Sequence, residues 1–128
     1  MKRKLALIGI VISLFLLYQP PVKAVCSGQT FTPSFFAKES LTISTTALPG
    51  TATVYNPSGA INTARYAFVT VETNPIRYWL DGSVPTAFLG HLVATNGSFE
   101  VCGINAVRNF QMIRQGAADA TVMISYAR

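Results

Sequence analysis

Residues 65–73, RYAFVTVET, constrain the fold more than any other stretch. Ala67, Val69 and Val71 fall on one side of an extended chain, and Phe68, Thr70 and Glu72 on the other. Alternation with period two marks a half-buried strand; it gives no continuous apolar face at the helical period of 3.6. The pattern recurs. In LTISTT (41–46), Leu41 and Ile43 oppose Thr42 and Ser44. In IRYWL (76–80), Ile76, Tyr78 and Leu80 oppose Arg77 and Trp79. In ATVMISYA (120–127), Ala120, Val122, Ile124 and Tyr126 share a face. TATVY (51–55) reads as a further short strand. Gly, Pro and Asn punctuate these runs in ALPG (47–50), NPSG (56–59) and Asn74-Pro75, and QGAAD (115–119) turns into the last strand. HLVA (91–94) and SFEVC (98–102) flank Thr95-Asn96-Gly97, and Asn96-Gly97 suits a type I′ hairpin turn.

Two stretches are less regular. Residues 25–40 (VCSGQTFTPSFFAKES) read as an irregular lead-in with room for one short strand. INAVRNFQMIRQ (104–115) spaces Ile104, Val107, Phe110 and Ile113 as a helix could bury them. It also admits a helical turn over 104–108 followed by a strand over 109–114, which would form a hairpin with 120–127. The strand neighbours favour the second reading. Many short strands with frequent turns predict an all-β fold: an antiparallel β-sandwich, jelly-roll or Ig-like, of about seven or eight strands.

The first residues stand apart from this pattern. MKRK is followed by the apolar run Leu5–Leu17, then by YQPP and by Val22-Lys23-Ala24. This is the layout of a secretory signal peptide cleaved after Ala24. The run of 13 residues is short for spanning about 30 Å of hydrocarbon. The expected organisation is a signal peptide over 1–24 and one domain over 25–128, with no stable membrane insertion after cleavage. The expected location is the periplasm or the extracellular space.

Cleavage also changes the charge. Four of the ten Lys and Arg leave with the leader, so six basic side chains face five acidic ones. The remaining arginines are scattered, whereas nucleic-acid binding needs them clustered on one face, and that partner is rejected. Cys26 and Cys102 are the only two cysteines, and in an oxidising compartment they are expected to bond to each other. Two cysteines and one histidine are too few for a structural zinc site, and no cofactor or metal is expected.

RYWLDGSVPTAFLGH (77–91) concentrates chemistry-bearing letters. Asp81-Gly82 fits a turn, because Asp accepts a hydrogen bond from the backbone two residues on and Gly tolerates positive φ. Pro85 stiffens the loop around it. Asp81, Gly82, Pro85, Asn96 and Gly97 are thus read as structural turn residues. No second carboxylate can be paired with Asp81, as glycoside hydrolysis requires. His91 is the single histidine, and G-x-S-x-G and H-E-x-x-H are both absent. A His91–Cys102 nucleophile pair is excluded if the disulfide forms. Arg77 and Trp79 share a strand face. Solvated, they and His91 form a contact patch for a protein or a stacked sugar. Covered, Trp79 packs under a loop or into the core with Arg77 capping it. No catalytic residue emerges.

Two resemblances rest on quoted motifs. FVTVE (68–72), IRYWLDGSVPT (76–86), GHL (90–92), VCG (101–103) and VRNFQMIRQGAADATVMISYAR to the C-terminus together resemble small β-rich proteins of tailed bacteriophages. That resemblance covers about half the chain. It implies a compact β-sandwich without catalytic residues, decorating a capsid or forming part of a tail, and so associated with a virion and with protein partners or a homo-oligomer. RYWLDGSVPT alone resembles the strand-turn of chitobiase-like C-terminal β-sandwich modules. That match covers about ten residues and implies a secreted, non-catalytic carbohydrate-binding or accessory module with a glycan partner.

Overall fold

The computed structural model of the protein describes residues 24–26, 29–58 and 62–128. The expected leader lies outside them except for Ala24, which opens strand β1 (Ala24–Cys26). β2 (Gln29–Phe31) pairs with β1 in a small antiparallel hairpin. Eight further strands form the sandwich: β3 (Phe35–Ile43), β4 (Leu48–Pro49), β5 (Tyr66–Val71), β6 (Ile76–Trp79), β7 (His91–Val93), β8 (Ser98–Cys102), β9 (Gln111–Arg114) and β10 (Ala120–Ala127). One sheet runs β3-β10-β5-β8 and the other β4-β9-β6-β7. Every pairing is antiparallel.

The pairings are nested. β3 meets β10, β4 meets β9, β5 meets β8 and β6 meets β7. A long hairpin of β3–β6 against β7–β10 has thus been rolled up, and the contacts β10–β5 and β9–β6 join the edges of the roll. This is jelly-roll connectivity, one of the double-sheet solutions for antiparallel strands. The β6–β7 connection, residues 80–90, is the tip of the rolled hairpin.

Alternation in the sequence translates directly into burial. Ala67, Val69 and Val71 of β5 and Ala120, Val122, Ile124 and Tyr126 of β10 all lie in the core, with Ile43, Ile76, Phe110 and Met112 opposite or beside them. The Tyr126 hydroxyl is buried and donates to Glu39 on β3, whose same oxygen accepts the Thr51 backbone N–H. Burial, then the Glu39 hydrogen bond and charge, hold the Tyr126 phenol far above its ordinary range. Cys26 and Cys102 are joined in a disulfide with Cα atoms 5.5 Å apart, fastening β1 to the end of β8. Among the described residues no helix is long and apolar enough to cross a membrane.

Four local expectations change. β3 begins at Phe35, inside the stretch read as irregular, because β10 is long enough to pair with it from Phe35 to Ile43. TATVY is not a strand but a single turn of helix, α1 (Ala52–Tyr55). A strand would point Val54 and Tyr55 to opposite faces; the helical turn lets both lean on the core, with the Tyr55 ring 6.0 Å from that of Tyr126. The helical turn expected over 104–108 is α2 (Ile104–Asn109) and leads into β9, but β9 forms no hairpin with β10. Residues 115–119 instead carry the chain from one sheet to the other. Likewise β7 and β8 are not hairpin partners, and Asn96-Gly97 is not a type I′ turn. Gly97 N–H bonds to Ala94 C=O, so Thr95 and Asn96 are the central residues, and Asn96 alone has a positive φ, 63°. A Cβ on Gly97 would lie 2.8 Å from the Ala94 oxygen.

These corners are laced together at one end of the sandwich. Asn96 N–H donates to Val71 C=O, Thr95 Oγ1 to Thr73 C=O and Asn74 Nδ2 to Asp119 C=O. The 80–90 tip sits at the opposite end of β6, where a Cβ on Gly82 would come 3.8 Å from Asn109 at the end of α2.

Candidate functional site

The tip loop is fastened by its own short-range chemistry. Asp81 Oδ1 accepts the Ser83 N–H at 3.0 Å, and that bond holds the fully solvated carboxyl below its ordinary range. Gly82 comes next at φ 90°. Pro85 is buried. Thr86 Oγ1 accepts the N–H groups of Phe88 and Leu89, and Thr86 N–H donates to Leu89 C=O at 3.0 Å. Gly90 takes φ 126°, and a Cβ there would stand 3.1 Å from Tyr78 C=O and 3.3 Å from both Arg77 Cβ and Pro85 Cβ. Only glycine lets the loop return this close to β6.

Arg77 completes the fastening. It points outward from β6, half-buried, opposite Leu92 of β7. Its Nε–H donates to Ala87 C=O at 3.0 Å and its Nη1–H to Gly90 C=O at 2.8 Å. One planar guanidinium thus grips two carbonyls at the C-terminal half of the loop, an arrangement suited to its fixed fork of donors. The turn roles expected for Asp81, Gly82 and Pro85 match these positions.

Trp79 and His91 stand beside this latch. His91 lies across the ladder from Tyr78, with its ring 5.2 Å from the Tyr78 ring and 5.0 Å from the Trp79 ring. Tyr78 stacks on Phe99 of the other sheet at 3.9 Å, and burial raises its phenol pKa. Arg77, Trp79 and His91 therefore occupy one region, His91 being brought there by the β6–β7 pairing. Arg77 and Trp79 are each half-buried, and the Arg77 guanidinium is turned to the backbone of the loop.

What this scaffold presents to solvent was not singled out from the sequence. Phe88 is 87% exposed, Val84 68%, Leu89 65% and Leu92 52%. The available signal was VPTAFL (84–89), apolar residues placed where the turn chemistry denies them a strand face. A loop is ordinarily polar, and clustered apolar exposure marks contact surfaces.

The carboxylates are distributed elsewhere and taken up locally. Asp119 pairs with Arg114, Glu72 accepts the Thr70 hydroxyl, and Glu39 serves Tyr126 and Thr51. Glu100 lies with Cys26 and Cys102, ligand atoms within 4.8 Å of one another. Both sulfurs there are committed to the disulfide and offer no thiolate to a metal. Glu100 acts instead on Tyr66, whose phenol is pushed up to about 12 by burial, then by the Glu100 charge and hydrogen bond.

A shallow groove runs along the other sheet. Phe35, Phe36, Ala37, Lys38 and Ser125 line about 240 Å³ of it, and a continuation of about 360 Å³ extends past Ser40 and Met123. Compared with known proteins, the chain matches no protein family, no curated protein and no solved structure.

Proposed function

We propose that the protein is a non-enzymatic structural or surface-interaction module, of the kind the resemblance to phage virion β-sandwich proteins implies, that is exported and works by docking its rigid tip loop on a protein partner. The jelly-roll topology is shared by proteins of many functions and does not select this reading. The observation that carries it is the tip loop. Two Arg77 bonds, the Thr86 hydroxyl and a buried Pro85 hold Phe88 and Leu89 in the open. Pre-ordering an apolar contact lowers the entropy cost of binding, and the exposed Phe88 and Leu89 side chains bury little in the isolated domain. The disulfide and the absence of a membrane-spanning helix among the described residues are compatible with export.

Cosedimentation with virions or capsid shells from the same host tests this reading. Binding is expected for the wild type and is expected to be lost in Phe88→Ser. Equal pelleting of both proteins, or of neither, refutes the docking role. A turnover that disappears in His91→Ala or Asp81→Asn, with the fold intact, refutes the non-enzymatic part. The geometry gives less support to a secreted sugar-binding module, since Trp79 is half-buried against His91; glycan binding lost on Trp79→Ala would support that alternative.

A further inference from the structure

We propose that Glu100 makes the Cys26–Cys102 disulfide selective by charge, slowing its cleavage most for anionic thiols and least for cationic ones. This holds whatever the tip loop docks on. It follows from where a few side chains stand on the outer face of the β3-β10-β5-β8 sheet.

The strand period sets the placement. Cys102 and Glu100 are two residues apart on β8 and so point to the same face. β5 puts Tyr66 opposite Cys102 and Phe68 opposite Glu100. That face is turned away from the main core, which takes the alternate residues Ala67, Val69, Phe99 and Val101. Tyr66, Phe68, Ala127 and the two cysteines form a small separate cluster there. The disulfide fastens β1 beside it, and both cysteines are half-buried, so solvent reaches them.

A fixed charge comes with this placement. A Glu100 carboxylate oxygen and both sulfurs lie within 4.8 Å of one another. The Tyr66 phenol hydrogen-bonds the carboxylate and holds it there, and with a pKa of about 12 the phenol itself stays neutral. Arg65 precedes Tyr66, and its carbonyl accepts the Gly103 N–H, yet its guanidinium makes no ion pair with Glu100. Among the described residues no cation stands at salt-bridge distance from this carboxylate.

The chemistry of exchange makes that charge matter. A thiolate attacks one sulfur of the disulfide, and its electron pair forms a new S–S bond. The old S–S bond breaks, and the other cysteine leaves as a thiolate. A second thiolate then attacks the reductant's sulfur in the mixed disulfide. This yields the oxidised reductant and a second cysteine thiolate, and water supplies protons to both cysteines. Two electrons have passed from the reductant to the disulfide. During attack, negative charge spreads over the entering and leaving sulfurs, beside Glu100. The carboxylate disfavours that charge and raises the pKa of the departing thiol, which makes it a poorer leaving group. Reactive cysteines sit in electropositive surroundings, and this pair has the opposite. An attacker with a second negative charge is repelled further, whereas an ammonium group offsets the repulsion.

Cleavage rates of the purified, disulfide-bonded protein test the proposal, with alkylation and intact mass as the readout. Mercaptopropionate, mercaptoethanol and cysteamine serve as an anionic, a neutral and a cationic thiol. Dividing the rate for Glu100→Gln by that for the wild type, thiol by thiol, cancels each thiol's own reactivity. The ratio is expected to fall in that order, from about tenfold to about twofold. At about 1 M salt, where the Debye length is about 3 Å, the mercaptopropionate ratio should shrink to about twofold. Should the variant fail to fold, the wild type alone still decides: added salt should quicken its cleavage by mercaptopropionate relative to cysteamine. A salt response that is the same for both thiols overturns the proposal. So do ratios near one. Equal ratios for all three thiols would show that Glu100 merely holds β1 in place through Tyr66, and they overturn it as well.

Discussion

Replacing Arg77 by methionine isolates the latch. The substitution keeps a long side chain over β6 and removes the donors to Ala87 and Gly90. A hydrogen bond from a charged group contributes about 1.5–3 kcal/mol, so two give a gross loss of about 3–6 kcal/mol. Two effects reduce it. The freed carbonyls belong to a partly exposed segment and regain water. The loss is also capped by the free energy with which the loop docks, because a loop that costs more than that simply lifts off while the sandwich stays folded. Pro85, Gly90 and the Thr86 bonds limit that docking energy, and the expected net destabilisation is about 2 kcal/mol, a fall in Tm of roughly 10 °C for a domain of this size. Arg77→Lys should recover less than half, since a point charge cannot span both carbonyls. The assay combines urea unfolding with amide hydrogen exchange. In Arg77→Met the protection of Phe88 and Leu89 should collapse while that of β5 and β10 changes only with global stability. A shift below about 0.5 kcal/mol together with unchanged exchange at Phe88 and Leu89 would show that the loop is held by something other than Arg77.

Two further outcomes are expected. Cys26→Ser/Cys102→Ser, or reduction by dithiothreitol, opens a link across 76 positions, worth roughly 4 kcal/mol in the chain-entropy picture; a urea midpoint that does not move would mean that the reduced chain holds β1 in place without it. Stability should also decline in alkali. Tyr66 titrates near 10 when unfolded and near 12 when folded, so the folded state holds its proton longer. That contribution is complete below pH 10 and is lost as pH rises through 12. Tyr66→Phe should flatten the slope of urea midpoint against pH in that window; an identical slope in both proteins would refute the assignment.

Strand composition was legible because side-chain alternation is a local consequence of extended backbone. The buried faces of β5, β6 and β10 are those expected from Ala67/Val69/Val71, Ile76/Tyr78 and Ala120 to Tyr126. The Cys26–Cys102 bond was expected from there being two cysteines and no others. The turn at Asp81-Gly82 was expected from the bonding habits of those residues. TATVY misled because Val and Tyr favour strands in general, while at this place both must reach the same core from adjacent positions.

Partner choice was a different matter. Asn96-Gly97 has the letters of a tight hairpin, yet the strands on either side belong to different sheets, because β7 is claimed by β6 and β8 by β5. Such competition is settled by contacts far apart in sequence, which no local pattern encodes. The same holds for the site. Arg77 and Trp79 could be placed on one strand face from their spacing, whereas His91 joins them only through the pairing of β7 with β6. That Arg77 would turn to the carbonyls of Ala87 and Gly90, and so leave Phe88 and Leu89 as the exposed surface, depends on how the tip of the rolled hairpin folds back over β6. Alternation along the chain is enough to say which residues enter a core. Which strands meet, and which apolar residues stay outside, is settled only in three dimensions, since both depend on long-range packing that local periodicity does not carry.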